Sequence, residues 1–196
     1  MRRPPARRAL GCALVLALAF WPTGEARSTT VEALEPEDLV ARAEAIVWGD
    51  VVAVRADWDE RRTRIYTHVE VAPRETLKGG PAPTVALKLP GGEVDGVVSV
   101  VHGVPRFRPG EEVVLHVTAA HARSGVRVPV GLGQGLHRVV RPGHGPAIAT
   151  RDTRDLHLAR PGVAGVQPGA RDARPLDDLL QAIRGEVARQ ATGGPR

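Results

Sequence analysis

The chain has 196 residues, with 27 Lys+Arg against 22 Asp+Glu and a formal charge of +5. Arginines and acids interleave, as in Asp57-Trp58-Asp59-Glu60-Arg61-Arg62, and do not form the basic stripe that displaces counterions from phosphates, so no nucleic-acid partner is expected. One cysteine, Cys12, excludes an internal disulfide framework and a site built on several thiolates.

The first predicted element is an address and not part of the fold. Arg2, Arg3, Arg7 and Arg8 form a basic head, an apolar run follows from Ala9 to Trp21, and Gly24-Glu25-Ala26 makes a small-residue exit. That order predicts a signal peptide over residues 1–26, cut between Ala26 and Arg27, and places the protein in the periplasm or medium. The apolar run is short for a bilayer, and no second one follows, so no membrane span is expected in the mature chain. Cleavage removes four arginines, one glutamate and Cys12, taking Lys+Arg from 27 to 23 and Asp+Glu from 22 to 21. The exported domain is then nearly neutral and must be held together by its apolar core.

Along the mature chain, Pro36 with Glu35, Glu37 and Asp38 signals a short helix carrying Leu39, Val40 and Ala43 on its apolar side. Ile46 to Val54 is apolar on both faces except for Asp50, as expected of a central strand. Thr63 to Val71 alternates, with Ile65, Thr67, Val69 and Val71 opposite Arg64, Tyr66, His68 and Glu70, and the two segments read as an antiparallel hairpin. Further strands are expected at 85–89, 97–101, 112–118, 126–130 and 136–140, with weaker ones at 147–150 and 156–158. Residues 159–174 are rich in Gly, Pro and Arg and read as a linker. Leu176, Leu179, Leu180, Ile183 and Val187 form one stripe of a C-terminal amphipathic helix ending near residue 188. A disordered tail is expected over 189–196. The predicted fold is mostly β: a small OB-like antiparallel barrel, or a sandwich, over 27–158 with a short leading helix, followed by the linker and docking helix of 159–188.

No catalytic, cofactor or metal residues are assigned from the sequence, and no cofactor is implied. The seven histidines include no i, i+4 pair on a helix and no His-x-His, and they read as surface residues; a zinc site drawn from separate strands is left open. Ser28, Ser99 and Ser124 lie outside any Gly-x-Ser-x-Gly. Gly131-Leu132-Gly133-Gln134-Gly135 lacks the Gly-Lys-Ser/Thr ending of a phosphate loop and reads as a bulge or tight crossing. A recognition patch is the remaining candidate: Trp58 in a charged turn, Tyr66 and His68 on the polar face of the next strand, and Arg106.

Several runs carry a resemblance. They are Leu39 to Ala43, Val47-Trp48-Gly49-Asp50-Val51-Val52, Ile65-Tyr66-Thr67, Glu75-Thr76-Leu77-Lys78-Gly79, Leu89-Pro90-Gly91-Gly92-Glu93-Val94 and Phe107-Arg108-Pro109-Gly110-Glu111-Glu112-Val113. Together they resemble a group of uncharacterised secreted bacterial proteins, which implies export and no particular activity. Leu77-Lys78-Gly79 at the close of the second strand also resembles the netrin-like or tissue-inhibitor OB barrels. Those inhibitors place an N-terminal cysteine on a protease zinc, and with no cysteine in the mature chain only their topology is implied here. The function expected is a non-enzymatic exported domain that binds a protein or glycan. The alternatives are a hydrolase whose site assembles in three dimensions and a structural envelope component.

Overall fold

A computed structural model describes residues 29–193. The signal peptide expected over residues 1–26 and its expected Ala26–Arg27 junction lie outside the described residues. The described chain is mostly β. In order it contains β1 (Thr29–Glu32), α1 (Pro36–Arg42), β2 (Ala45–Trp58), β3 (Ile65–Lys78), β4 (Val85–Pro90), β5 (Gly92–Val94), β6 (Val97–Ser99) and β7 (Glu112–Val117). A 3-10 turn at Leu132–Gly135 precedes β8 (Leu136–Val140), β9 (Ile148–Asp152), β10 (Leu156–Ala159), β11 (Val166–Pro168), β12 (Arg171–Pro175) and α2 (Leu176–Thr192).

Seven strands form one antiparallel sheet in the order β12-β9-β8-β7-β2-β3-β4. Its spine is the β2–β3 hairpin, 14 residues per strand, joined by a turn in which the Asp59 carboxylate accepts the backbone N–H groups of Thr63 and Arg64 at 2.6 and 3.1 Å. Register shifts that leave Leu77 and Arg74 of β3 and Val52 of β2 as extra residues bend the pair. Both faces of the sheet are buried, and alternate residues serve each. Ile46, Val114 and Ala149 meet Leu39 and Val40 of α1 and Leu176, Leu179, Leu180 and Ile183 of α2. Val47, Val51, Val69, Val71, Leu87, Leu89, Val113, Leu115 and Leu136 form a second core with Phe107.

That second core lies inside a fold of the sheet over itself. Isolated bridges link Lys88 to Arg127 and Val117 to Pro129, so the segment after β7 reaches across to the edge strand β4. The named strands nevertheless do not close, since β4 and β12 stand at the two ends of the order, and the expected closed barrel is corrected to an open, curled sheet backed by two helices. Segment 126–130, expected as a strand, forms no named strand and is held by those bridges and by backbone bonds to residues 116–121, such as Val130 N–H to His116 O at 2.8 Å. A three-stranded sheet, β1-β10-β11, and the two-stranded β5-β6 stand apart.

The segment expected as a linker contains β11 and β12, and β12 completes the main sheet through five pairs with β9. Its residues Arg171-Asp172-Ala173-Arg174-Pro175 carry no apolar alternation, because the strand is held by its backbone ladder and by Arg151, which donates to Asp172 at 2.9 and 2.8 Å. The C-terminal helix continues to Thr192, past the expected end. Gln190 extends it, donating to the Glu37 carbonyl at 3.0 Å and to Glu186 at 2.8 Å.

Candidate binding site

Where β4 ends, Gly91 and Gly92 take φ values of +94° and +141° and turn the chain off the sheet edge, a conformation that costs glycine little. The hairpin that follows, β5–β6, is tied down at its base. Thr67 Oγ1 donates to the Gly91 carbonyl at 2.8 Å, and the Gly91 N–H donates to Ile65 O at 2.9 Å. At the tip, Asp95 lies 3.6 Å from Arg62. Beneath the hairpin is a cleft of about 370 Å³ walled by Val54, Ala56, Leu89, Val104 and Phe107, with the exposed Glu93 and Arg106 also bordering it. Val97, Val98, Val100 and Val101 are 41–57% exposed, and they make up four of the eight strongly exposed large apolar residues among the described residues. Such clustering within five positions marks a contact surface, whereas single exposed valines need no explanation.

A second cleft, about 1040 Å³, shares Val100, Val101 and residues 104–107 with the first and mixes apolar walls, Leu136 and Leu156 among them, with charge: Arg106, Arg108, Arg138 and Arg154 border it with Glu111, Asp152 and Asp155. Two of the arginines are engaged. Arg138 donates to the Arg106 carbonyl at 2.6 Å and stands 3.7 Å from Glu111. Arg154 forks onto Asp152 at 2.9 and 2.6 Å, and these bonds hold the Asp152 carboxyl below its ordinary range. Among the described residues, neither Arg106 nor Arg108 has a carboxylate in ion-pair contact.

The residues of the expected recognition patch are dispersed. Trp58 pairs with Ile65 and so shares its face with Ala56 and Thr67, while Tyr66 pairs with Asp57 and His68 with Arg55 on the opposite face. The Tyr66 ring is buried under the Lys88 ammonium, 4.5 Å from its centroid, and that ammonium donates to the Ser124 carbonyl at 2.8 Å. Of the four residues, Arg106 borders the clefts. The sequence signal for the hairpin surface is Val97-Val98-Ser99-Val100-Val101, five uncharged residues expected as a strand, of which Val97–Ser99 form β6.

Two histidines correct the expectation that all seven lie at the surface. His116 on β7 and His137 on β8 are 2% and 3% exposed, with ring centroids 6.3 Å apart. Their strand neighbours Leu115 and Leu136 face the second core, so both rings point to the helix side of the sheet. Burial pushes the His116 pKa down to about 4, partly offset by its bond to the Gly135 backbone. Burial pushes His137 further, to about 3, helped by His116, Arg151 and Arg174. Neither Nδ1 has a hydrogen-bond partner. Among the described residues no group of three or more His, Cys, Asp or Glu is placed to hold a metal ion, and no helix is long and apolar enough to cross a membrane. The Gly131–Gly135 run is a structural turn: its Gln134 side chain accepts the Leu34 N–H at 2.8 Å and donates to Glu32 O at 2.9 Å, tying β1 to the sheet.

No protein-family model matches the chain, and neither the curated proteins nor the solved structures contain a significant match.

Proposed function

We propose that the chain is an exported, non-enzymatic binding domain, working in the periplasm or medium, whose recognition surface is the β5–β6 hairpin with the cleft beneath it. The observation that carries this reading is the valine cluster of Val97, Val98, Val100 and Val101, left in solvent beside an apolar cleft on an otherwise well-buried scaffold. Exposing that much contiguous apolar surface lowers solubility unless a partner covers it. The partner is a protein. A glycan stacks on exposed aromatic planes, and the cleft offers aliphatic walls and a buried Phe107. The curled barrel-like half of the sheet acts as a rigid frame that presents the hairpin.

The hydrolase alternative needs a reactive group in the cleft. The polar side chains there are Thr67, which is tied to Gly91 O, together with Ser99, Glu93 and Arg106, and no base–nucleophile pair is formed among them. A photo-crosslinking residue placed at Val98 tests the reading in the exporting cells. A discrete crosslinked protein is expected there, and it is expected to be absent from the same residue placed at Arg184 on α2. Identical crosslinks from both positions would remove the hairpin as the recognition surface.

A further inference from the structure

Building on that binding-domain reading, we infer that the occupant of the two clefts is an extended protein segment in which aliphatic side chains alternate with carboxylates. Val100, Val101 and residues 104–107 border both clefts; the first continues to Val54 and Leu89 under the hairpin and the second to Arg108, Arg138 and Arg154. Successive side chains of an extended chain point to opposite sides. A partner strand laid along 100–107 therefore sends alternate residues to the two clefts, and each cleft selects its own chemistry.

The apolar side is set by Val54, Ala56 and Leu89, which line the first cleft and not the second. The charged side is set by the exposed Arg106 and Arg108. Arg138 and Arg154 on the same cleft are matched by Glu111 and Asp152, whereas Arg106 and Arg108 have no carboxylate in ion-pair contact among the described residues. A guanidinium offers a planar fork suited to a carboxylate, so the charge left unmatched is of the type that recognises Asp or Glu side chains. The exposed Glu93 borders the first cleft too, and it disfavours acids there, away from the two arginines. The free edge of β6, which pairs with β5 alone among the described strands, supplies unpaired backbone groups of the kind that hold an added strand.

The test is to pan a phage-displayed library of random dodecapeptides on the purified exported protein, on the variant Arg106→Glu/Arg108→Glu and on the variant Val98→Asp. All three substitutions fall on exposed side chains, so circular dichroism and the thermal midpoint should be unchanged. The native protein should enrich peptides that alternate Val, Ile or Leu with Asp or Glu. Affinity of a synthetic consensus peptide should fall about tenfold in the arginine double variant, and more steeply with salt in the native protein than in the variant. The double variant should instead enrich Lys and Arg, and Val98→Asp should enrich nothing. Enrichment of apolar peptides without acids, unchanged by the arginine reversal, would overturn the inference and leave the binding-domain reading standing. Enrichment insensitive to Val98→Asp, or none at all, would overturn both. Dodecanoate that binds saturably and displaces the consensus peptide would overturn the protein segment in favour of an anionic amphiphile.

Discussion

His116 and His137 face one another diagonally across β7 and β8, 6.3 Å between ring centroids and tilted by 49°, inside the layer between sheet and helices. Both are neutral in the folded protein at neutral pH, because burial holds their pKa values at about 4 and about 3. The unfolded chain titrates both near the ordinary value of about 6.5. Between those limits the unfolded state binds more protons than the folded state, so stability is complete above about pH 6.5 and is lost as pH falls toward 4 and then 3. At pH 5 the loss is about 2 kcal/mol per histidine. Urea unfolding from pH 7 to pH 5 should show this slope. Carboxylates with lowered pKa values, Glu75, Glu112 and Asp152 among them, act only below about pH 4.5, so the upper window isolates the imidazoles. A His116→Gln/His137→Gln variant with the same slope as the native protein in that window would refute the assignment.

Gly49 makes the closest backbone approach in the central hairpin. A Cβ there would lie 2.9 Å from the Ala72 carbonyl carbon and 2.9 Å from Pro73 Cα, both of them backbone atoms that no rotamer change can move. Gly49→Ala should therefore force β2 and β3 apart and cost about 3 kcal/mol, at the upper end for overpacking. Gly143→Ala, where a Cβ would meet nothing within 4 Å, should leave the chemical-denaturation midpoint unchanged. Equal midpoints for the two variants would show that the strands have room to separate.

Glu112 of β7 ties β2 and β3 to the residue that follows β8, Arg141. Its carboxylate accepts Trp48 Nε1–H at 2.8 Å and both arms of Arg141 at 2.7 and 2.8 Å, and it lies 3.6 Å from Arg74. The bonds from Arg141 first, then that from Trp48, hold its pKa below the ordinary carboxylate range. The side chain is only 10% exposed, so its hydrogen bonds are shielded from water. Glu112→Ala should cost about 2 kcal/mol and red-shift the emission assigned to Trp48 by comparison with a Trp48→Phe protein. The Glu32–Arg42 pair, about half exposed on both sides, is the contrast: Glu32→Ala should leave the midpoint where it is.

What could be read from the sequence was set by how each element is held. The α2 stripe of Leu176, Leu179, Leu180 and Ile183 and the alternation of β3 were legible because apolar burial fixes both. β12 was not, since its exposed Arg171 to Pro175 joins the sheet through backbone pairing. The burial of His116 and His137 was hidden for a related reason. With helices on one face and the folded-over sheet on the other, alternation no longer separates inside from outside, and a polar residue on either face is covered. The hairpin surface was misread in the opposite sense, because Val97 to Val101 has the composition of an interior strand and only its tertiary position leaves it in water.

That position also separates stability from recognition at the hairpin. Val98 and Val100 are 57% and 54% exposed, so replacing both with serine removes little buried area and should shift stability by no more than about 0.5 kcal/mol. Core valines of the same size behave differently: Val69 and Val113 are fully buried, and Val→Ala at either should cost about 2 kcal/mol. Sedimentation and partner crosslinking should show the reverse order. With the photo-crosslinking residue moved to the exposed Val97, the double serine variant should lose the crosslink and any tendency to self-associate, while a folded Val69→Ala protein keeps both. If Val98→Ser/Val100→Ser unfolds at lower denaturant by as much as the core variants, the hairpin valines serve the fold, and their exposure carries no information about a partner.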